Sequence, residues 1–477
     1  MGKKCCFSAK LMLEDFIIGR IKAELPFEPN EEKAGLLAAL GRFIVSREPK
    51  KAFILRGYAG TGKTSVMSAV VHALHGLQQG CVLLAPTGRA AKVLSRYSGE
   101  PAYTIHKHIY RRTNSGDFAL GYNKYVRTLF IVDEASMLSG VRDNSSFGSG
   151  CLLDDLVQYI YSGLECSLLL VGDGAQLPPV GSTMSPALEA DYMAGYGLHV
   201  SEYTLTQVAR QALDSGILRE ATALREQLIN WDDEASEVVV HPNGRDIIHV
   251  DGEEALETLE DSWRTVGAEE TLIITRSNKL TNLYNQVLRA RVLGREYELE
   301  NGDRVMVTRN NYYWTEEYED LEFIANGDIF EIERLYNHQE MYDFHFAQAS
   351  LRAVDYSWEI EAMVWLDTLT TDSPEASYRL QRDLFARIAE DYPEIKSKKK
   401  LTEKIQESPY YNALQIRHAY AVTCHKAQGG QWRHVYIDTS GIGEDMERMA
   451  DPTEKYEYLR WIYTAVTRAT EKIYLLR

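Results

Sequence analysis

Short apolar runs of strand length, bounded by glycine and charged residues, recur along the first third of the chain. Ala52-Phe53-Ile54-Leu55 closes the stretch Lys51–Leu55, and Leu129-Phe130-Ile131-Val132 and Ser167–Val171 follow it. All three are continuous rather than alternating, the pattern of strands buried on both faces of a parallel sheet. An apolar helical stretch through Leu74 follows the first run, so strands alternate with helical segments. That order predicts an α/β fold whose ligands sit at the carboxyl ends of the strands. Thr271–Thr275 is a further buried strand. Beyond residue 300 the pattern changes to short strand-like runs, such as Ile329–Ile332 and Met341–Phe346, which suit a small barrel. An amphipathic helical stretch around Leu384–Ile388 comes after them, and Lys398-Lys399-Lys400 reads as a solvated loop. Ile109–Thr113 and Phe118–Tyr122, separated by Asn114-Ser115-Gly116-Asp117, read as a hairpin. No apolar run approaches the roughly 18 residues of a membrane span.

Composition narrows the class. The chain has 477 residues, 45 % apolar and 25 % charged, which excludes a disordered, collagenous or coiled-coil protein. At roughly 100–200 residues per domain the length suggests about three domains. Fifty-two basic and 69 acidic side chains leave a net charge of −17, which taken alone argues against binding nucleic acid. The average hides two opposite regions. Residues 1–150 carry 21 basic and 12 acidic side chains, net +9, whereas residues 151–350 carry 13 and 37, net −24. The six cysteines (Cys5, Cys6, Cys81, Cys151, Cys166, Cys424) show no metal-ligand spacing and are too sparse for a disulfide scaffold, so a reducing cytoplasm is the expected setting. Met1–Cys6 lacks the Ser or Thr that a myristoylation signal needs at position 6, and reads as a frayed terminus.

Candidate chemistry lies where the buried strands end. After Leu55 comes Gly57-Tyr58-Ala59-Gly60-Thr61-Gly62-Lys63-Thr64-Ser65, the G-x-x-x-x-G-K-T pattern in its strand–loop–helix setting. Backbone N–H groups of such a loop approach phosphate oxygens, and the helix N-terminus adds its positive dipole end. Lys63 neutralises the β- and γ-phosphates of ATP in this reading, and the Thr64 hydroxyl ligates Mg²⁺. After Val132 come Asp133, a Mg²⁺ holder, and Glu134, which orients and deprotonates the attacking water. After Val171 comes Gly172-Asp173-Gly174-Ala175-Gln176, with Gln176 placed to read the γ-phosphate. Either carboxylate alone is as readily a helix N-cap; the ordered set of strand-end groups is what points to a nucleotide site.

The same series resembles the superfamily 1 DNA helicases of the RecD and Dda type. Ala85-Pro86-Thr87-Gly88-Arg89 and Thr104-Ile105-His106-Lys107 are similar to that family's first DNA-contacting segments. Leu205–Gln211 is similar to the segment supplying a phosphate-contacting arginine, here Arg210. Gly302-Asp303-Arg304 and Asn326-Gly327-Asp328 resemble turns near an inserted SH3-like domain. Tyr420–Gly429 resembles the DNA-contacting segment of the second motor domain, with Thr423, His425 and Lys426, and Tyr463–Ala469 the final segment with its arginine finger, Arg468. The position at which the family reads adenine with glutamine falls on Lys33.

The resemblance implies two RecA-like P-loop domains, the first with a small hairpin insertion and the second with an SH3-like β-barrel insertion. The boundaries expected are 1–24 for an N-terminal segment, 25–198 for the first domain with a duplex-splitting pin at about 101–127, 199–299 and 412–477 for the second domain, and 300–411 for its insertion. It further implies an ATP- and Mg²⁺-dependent, monomeric 5′-to-3′ motor acting on single-stranded DNA and duplex junctions. The cleft between its domains would close on nucleotide to bring Arg210 and Arg468 to the γ-phosphate. Pro86, Thr87, His106, Lys107, Thr423, His425 and Lys426 would hold the strand by its phosphates, with Pro86, Tyr103 or Trp432 stacking on bases. An RNA helicase, or an ATPase and DNA-binding subunit of a nuclease–helicase complex, are the competing readings.

Overall fold

The computed structural model describes residues 2–113, 118–142, 147–208, 215–231, 240–315, 318, 321, 323–440 and 451–476. The chain divides into two compact units, one of Met1–Ile247, Gln428–Gln431 and Gly443–Arg468, the other of Ile248–Ala427, Trp432–Ile442 and Ala469–Arg477.

In the first unit the elements run α1 (Gly2–Ala23), α2 (Glu31–Val45), β1 (Lys51–Gly57), α3 (Lys63–Gly76), β2 (Cys81–Ala85), α4 (Gly88–Ser98), β3 (Ala102–Thr104), β4 (Tyr110–Arg112), β5 (Phe118–Leu120), β6 (Leu129–Val132), β7 (Ser167–Gly172) and β8 (His199–Leu205). Six of the strands make one parallel sheet in the order β3-β2-β6-β7-β1-β8. The continuous apolar runs are its centre, as their composition requires: both faces are covered. Phe53 and Leu55 of β1, Ile131 of β6 and Leu169 and Val171 of β7 share a core with Leu36, Leu40 and Phe43 of α2, Val66, Val70 and Leu74 of α3, and Ile17 and Ile21 of α1. Each such side chain contributes about 1.5–3 kcal/mol on burial. The terminus read as frayed over Met1–Cys6 enters the long helix α1 at Gly2 instead; that helix holds no proline, and Gly19 is the single glycine in its interior.

Strand β8 differs from expectation. From sequence His199 opens the second domain, yet β8 pairs in parallel with β1 from Lys51↔His199 to Gly57↔Leu205. It is the sheet's edge, largely exposed along His199–Leu205, so it lacks the continuous apolar signal of its neighbours. The first unit continues to Ile247.

The expected hairpin is present as the antiparallel pair β4–β5, with Tyr110↔Leu120 and Arg112↔Phe118 in register. Its base is anchored: the buried Tyr110 donates its hydroxyl to Asp155 Oδ2 at 2.7 Å, and its ring lies 4.9 Å from that of Phe147.

In the second unit β9 (Ile247–Val250) and β10 (Thr271–Thr275) are followed by β11 (Arg304–Val307), β12 (Ile329–Met341), β13 (Phe344–Ala353), β14 (Glu359–Trp365), β15 (Leu414–His418), β16 (Ala421–Thr423), β17 (Trp432–Asp438) and β18 (Ala469–Leu476). One sheet has the order β16-β10-β17-β18-β9, and β11 to β15 close into a barrel. The barrel is filled by alternate strand residues, among them Val305, Val307, Phe330, Ile332, Ala349 and Leu351. Its last strand reaches His418, past the expected boundary at 411, because β15 pairs with both β14 and β11. The helix Pro374–Ala389 is capped by Ser373 and lays Leu384 and Ile388 against Phe346 and Trp365. The lysine run is not a loop: it opens the helix Lys398–Gln406 with its amines exposed. No helix among the described residues is long and apolar enough to cross a membrane.

Candidate active site

Three adjacent strands, β6, β7 and β1, deliver the candidate groups from their carboxyl ends. The phosphate loop leaves β1 at Gly57 and turns through Gly60 (φ 73°) and Gly62 (φ 88°) into α3. Those backbone angles exclude most other residues, which is why the loop is glycine-rich where its amides must face a ligand. Thr61 is fully buried and its hydroxyl donates to Tyr58 O at 2.8 Å, setting the loop's shape from inside. Lys63 Nζ donates to the carbonyls of Gly57 and Tyr58, across the mouth of the loop. Thr64 and Ser65 stand in the first turn of α3. Lys33 of α2 is buried beside this loop, with its ammonium 5.5 Å from the Phe27 ring centroid and its Cε 3.3 Å from where a Gly62 side chain would begin.

Asp133 and Glu134 follow β6 directly. Glu134 holds φ 51° and ψ 37°, a left-handed conformation uncommon for a residue with a side chain and characteristic of functional positions. Burial, and next the Glu134 carboxylate, push the Asp133 carboxyl up to about 7, while Lys63 pulls it the other way. A carboxylate so placed carries its charge at neutral pH most readily beside a cation. Asp133 and the Thr64 hydroxyl are hard oxygen ligands, so the residues present fit Mg²⁺.

The loop after β7 is held by one face of the helix Pro452–Val466. Arg460, Tyr463 and Thr464 stand at i, i+3 and i+4 on that helix, hence on one face. Arg460 donates to the carbonyls of Gln176 (2.7 and 3.1 Å), Gly174 (3.1 Å) and Thr183 (3.0 Å). The Thr464 hydroxyl accepts from Leu177 N at 2.9 Å, and Gln428 Nε2 donates to Leu177 O at 2.8 Å. Tyr463 donates to Asp173 Oδ2 at 2.6 Å. With its backbone fixed, Gln176 is 4 % exposed, and its Oε1 is buried without a hydrogen-bond partner among the described residues. That is an acceptor left for a ligand or a water.

Arg468, expected in the second domain, clusters with the first unit. It is buried, anchored to Thr464 O and Gly430 O, and its Nη1 lies 3.9 Å from Glu134 Oε1. The structure thus brings together Lys63, Asp133, Glu134, Gln176 and Arg468. Arg210 lies outside the described residues. Asp173, Arg460, Tyr463 and Thr464 are not singled out as site residues by the sequence; the readable signal is Arg460 and Thr464 set among the apolar residues of the buried stretch Leu459–Val466.

The strand-contact candidates fall in both units and are described separately. In the first, Pro86 is half-buried and Thr87 caps α4 by accepting from Ala90 N at 3.2 Å. Thr104 likewise accepts from Lys107 N at 3.3 Å and starts the helix Ile105–Ile109. The His106 ring packs 5.1 Å from Phe147 and 5.8 Å from Tyr110, so it also serves the core under the hairpin. Tyr103 is 49 % exposed, with its ring centroid 5.7 Å from that of His108. In the second unit Thr423 ends β16, burial lowers the His425 ring's proton affinity, and Lys426 Nζ donates to Asn326 Oδ1 at 2.7 Å. Trp432 is only 8 % exposed, within β17, which withdraws it from base stacking. Gly302-Asp303 is a structural turn: the buried Asp303 receives Arg289 (2.7 Å) and the Tyr420 hydroxyl (3.0 Å).

Residues 39–249 match the family described as AAA domain, and residues 418–476 the UvrD-like helicase C-terminal domain. The ATP-dependent RecD2 DNA helicase of Deinococcus radiodurans is 28 % identical over 297 residues, covering 60 % of this chain and 37 % of that protein. The ATP-dependent DNA helicase dda of an enterobacteria phage is 26 % identical over 275 residues, covering 55 % of this chain and 57 % of that one. The chain thus spans well under two thirds of either helicase. An uncharacterized protein of Acanthamoeba polyphaga mimivirus is 21 % identical over 90 % of this chain and 96 % of its own length.

Proposed function

Because the chain belongs to the superfamily 1 helicases of the RecD and Dda type, we propose that it hydrolyses ATP to move 5′ to 3′ along single-stranded DNA and to part the duplex ahead. The observation that carries this reading is the convergence at the ends of β1, β6 and β7. A phosphate loop, a carboxylate pair, a buried unpartnered amide oxygen and a buried arginine meet there.

Each group has a role that its position supports. Loop amides and Lys63 bind the β- and γ-phosphates, Lys63 leaving the carbonyls of Gly57 and Tyr58 to do so. Asp133 and Thr64 hold Mg²⁺, which, when bound, neutralises charge on the phosphate oxygens. Glu134 takes the proton of the attacking water, a role worth roughly 10²–10⁴ in rate. Gln176 Oε1 accepts a hydrogen bond from that water and orients it. Arg468 offsets charge developing on the transferred phosphoryl group, which for arginine fingers contributes about 10³–10⁵. Thr87, Lys107, Thr423, His425 and Lys426 grip phosphates without reading sequence.

The test is ATP turnover with and without single-stranded DNA, and with RNA of the same sequence as competitor. Stimulation by DNA that RNA does not match supports the reading. Turnover indifferent to either nucleic acid would sink it.

A further inference from the structure

Tyr463 is the point at which the phosphate loop and the Gln176 loop are joined. Its side chain is 1 % exposed, and its hydroxyl makes two bonds of opposite sense. It accepts from Ala59 N, within the phosphate loop, at 3.2 Å, and donates to Asp173 Oδ2 at 2.6 Å. Asp173 is equally buried, and its other oxygen accepts from Ala175 N at 2.9 Å. Its carbonyl accepts from Gln176 N at 3.3 Å, so the carboxylate that Tyr463 holds belongs to the turn that carries Gln176. Arg460 and Thr464 bind the same turn from the same helix face, but neither has a bond to the phosphate loop among the described residues. Burial and the neighbouring Asp173 keep the phenol protonated, as a donor to a carboxylate requires. A ring present only to fill space would not need the hydroxyl.

We propose that Tyr463 is a positioning residue that registers the phosphate loop against the Asp173–Gln176 turn, so that occupancy of the loop by nucleotide is felt at Gln176 and along the helix Pro452–Val466. The inference rests on the reading of Gly57–Thr64 as a nucleotide site. Phosphate binding draws on the loop's amides, and among the described residues Ala59 N is the amide of that loop tied to the turn through a side chain. A shift of the loop therefore reaches Asp173 through one hydroxyl.

The experiment is hydrogen–deuterium exchange of the full chain with and without AMP-PNP and Mg²⁺, on the unaltered protein and on Tyr463→Phe. Asp173→Asn is a second variant that weakens the same bond and leaves the ring in place. In the unaltered protein nucleotide should slow exchange in both 57–64 and 172–180. In either variant the slowing at 57–64 should persist, while that at 172–180 falls by about tenfold, the scale set by loss of a hydrogen bond to a charged group. Equal slowing at 172–180 in the unaltered protein and both variants would overturn the proposal. No slowing at 57–64 in any of the proteins would overturn the nucleotide-site reading, and the proposal with it. A packing role predicts instead a lowered melting temperature with the two loops still responding together.

Discussion

Replacing Arg460 with lysine tests how firmly the Gln176 turn must be held. The guanidinium reaches three carbonyls, those of Gly174, Gln176 and Thr183, from a side chain 7 % exposed. An ammonium keeps the charge but has no planar fork, so it retains one carbonyl and loses the others. A bond from a charged donor contributes about 1.5–3 kcal/mol, less where water replaces it. The contacts to Gly174 and Thr183 are only partly buried, so water recovers some of their loss. The net cost should be about 2–3 kcal/mol. It falls on the placement of Gln176 and not on phosphate binding, which the loop amides and Lys63 supply. If that energy is expressed in the transition state, kcat drops roughly 30- to 150-fold while KM for ATP stays within about threefold. Steady-state ATP turnover at saturating single-stranded DNA measures both. A kcat within threefold of the unaltered protein would refute the reasoning, as would a KM that rises in step with a falling kcat/KM at unchanged kcat.

Other outcomes follow from the same geometry. Lys63→Ala should abolish nucleotide binding, whereas Glu134→Gln should still bind nucleotide and lose roughly 10²–10⁴ in turnover; retained turnover in both would refute the site assignment. His418 is buried, and burial with Arg289 nearby lowers its ring to about 4 from 6.5. The unfolded chain then takes up a proton between those values that the folded chain refuses, so stability is intact above pH 6.5 and falls toward pH 4, by about 3 kcal/mol at most. The melting temperature of His418→Asn should decline less steeply with acid than that of the unaltered protein, and parallel curves would contradict this. Gly429 has φ 77°, and a side chain there would begin 2.7 Å from Ala90 Cβ in α4. Gly429→Ala should therefore destabilise the first unit by about 1–3 kcal/mol, read as a lower melting temperature. DNA affinity should fall as salt rises despite the net charge of −17, because the proposed strand contacts fall partly in the basic first third; a constant affinity would count against phosphate contacts.

What the sequence made legible follows from how each element is buried. Strands β1, β6 and β7 are covered on both faces, so Ala52–Leu55, Leu129–Val132 and Ser167–Val171 had to be apolar throughout, and their ends could be read with the chemistry attached. Strand β8 faces solvent along much of its length and carries Ser201, Glu202 and Thr204, so its sequence lacks the apolar run that marks its neighbours in the sheet. The lysines at 398–400 were read by charge alone; Leu401 and Ile405, which place the helix against Trp365 and Ile388, are legible only once the barrel is built. The helix Pro452–Val466 lies in sequence between β17 and β18 of the second unit's sheet, yet it clusters with the first unit, where Arg460, Tyr463 and Thr464 bind the loop after β7. Sequence order could not reveal that, because the partners, backbone groups for Arg460 and Thr464 and the Asp173 carboxylate for Tyr463, lie nearly 300 positions away. His106 shows the converse: its part in the ring cluster with Phe147 is tertiary, and a strand-contact role alone under-describes it.

The central claim is most directly tested by strand displacement on matched duplexes carrying a 5′ or a 3′ single-stranded DNA tail, with and without ATP. A 5′-to-3′ motor should displace the strand from the 5′-tailed duplex only, and only with ATP. ATP hydrolysis without displacement from either tail, or displacement from the 3′ tail alone, would contradict it.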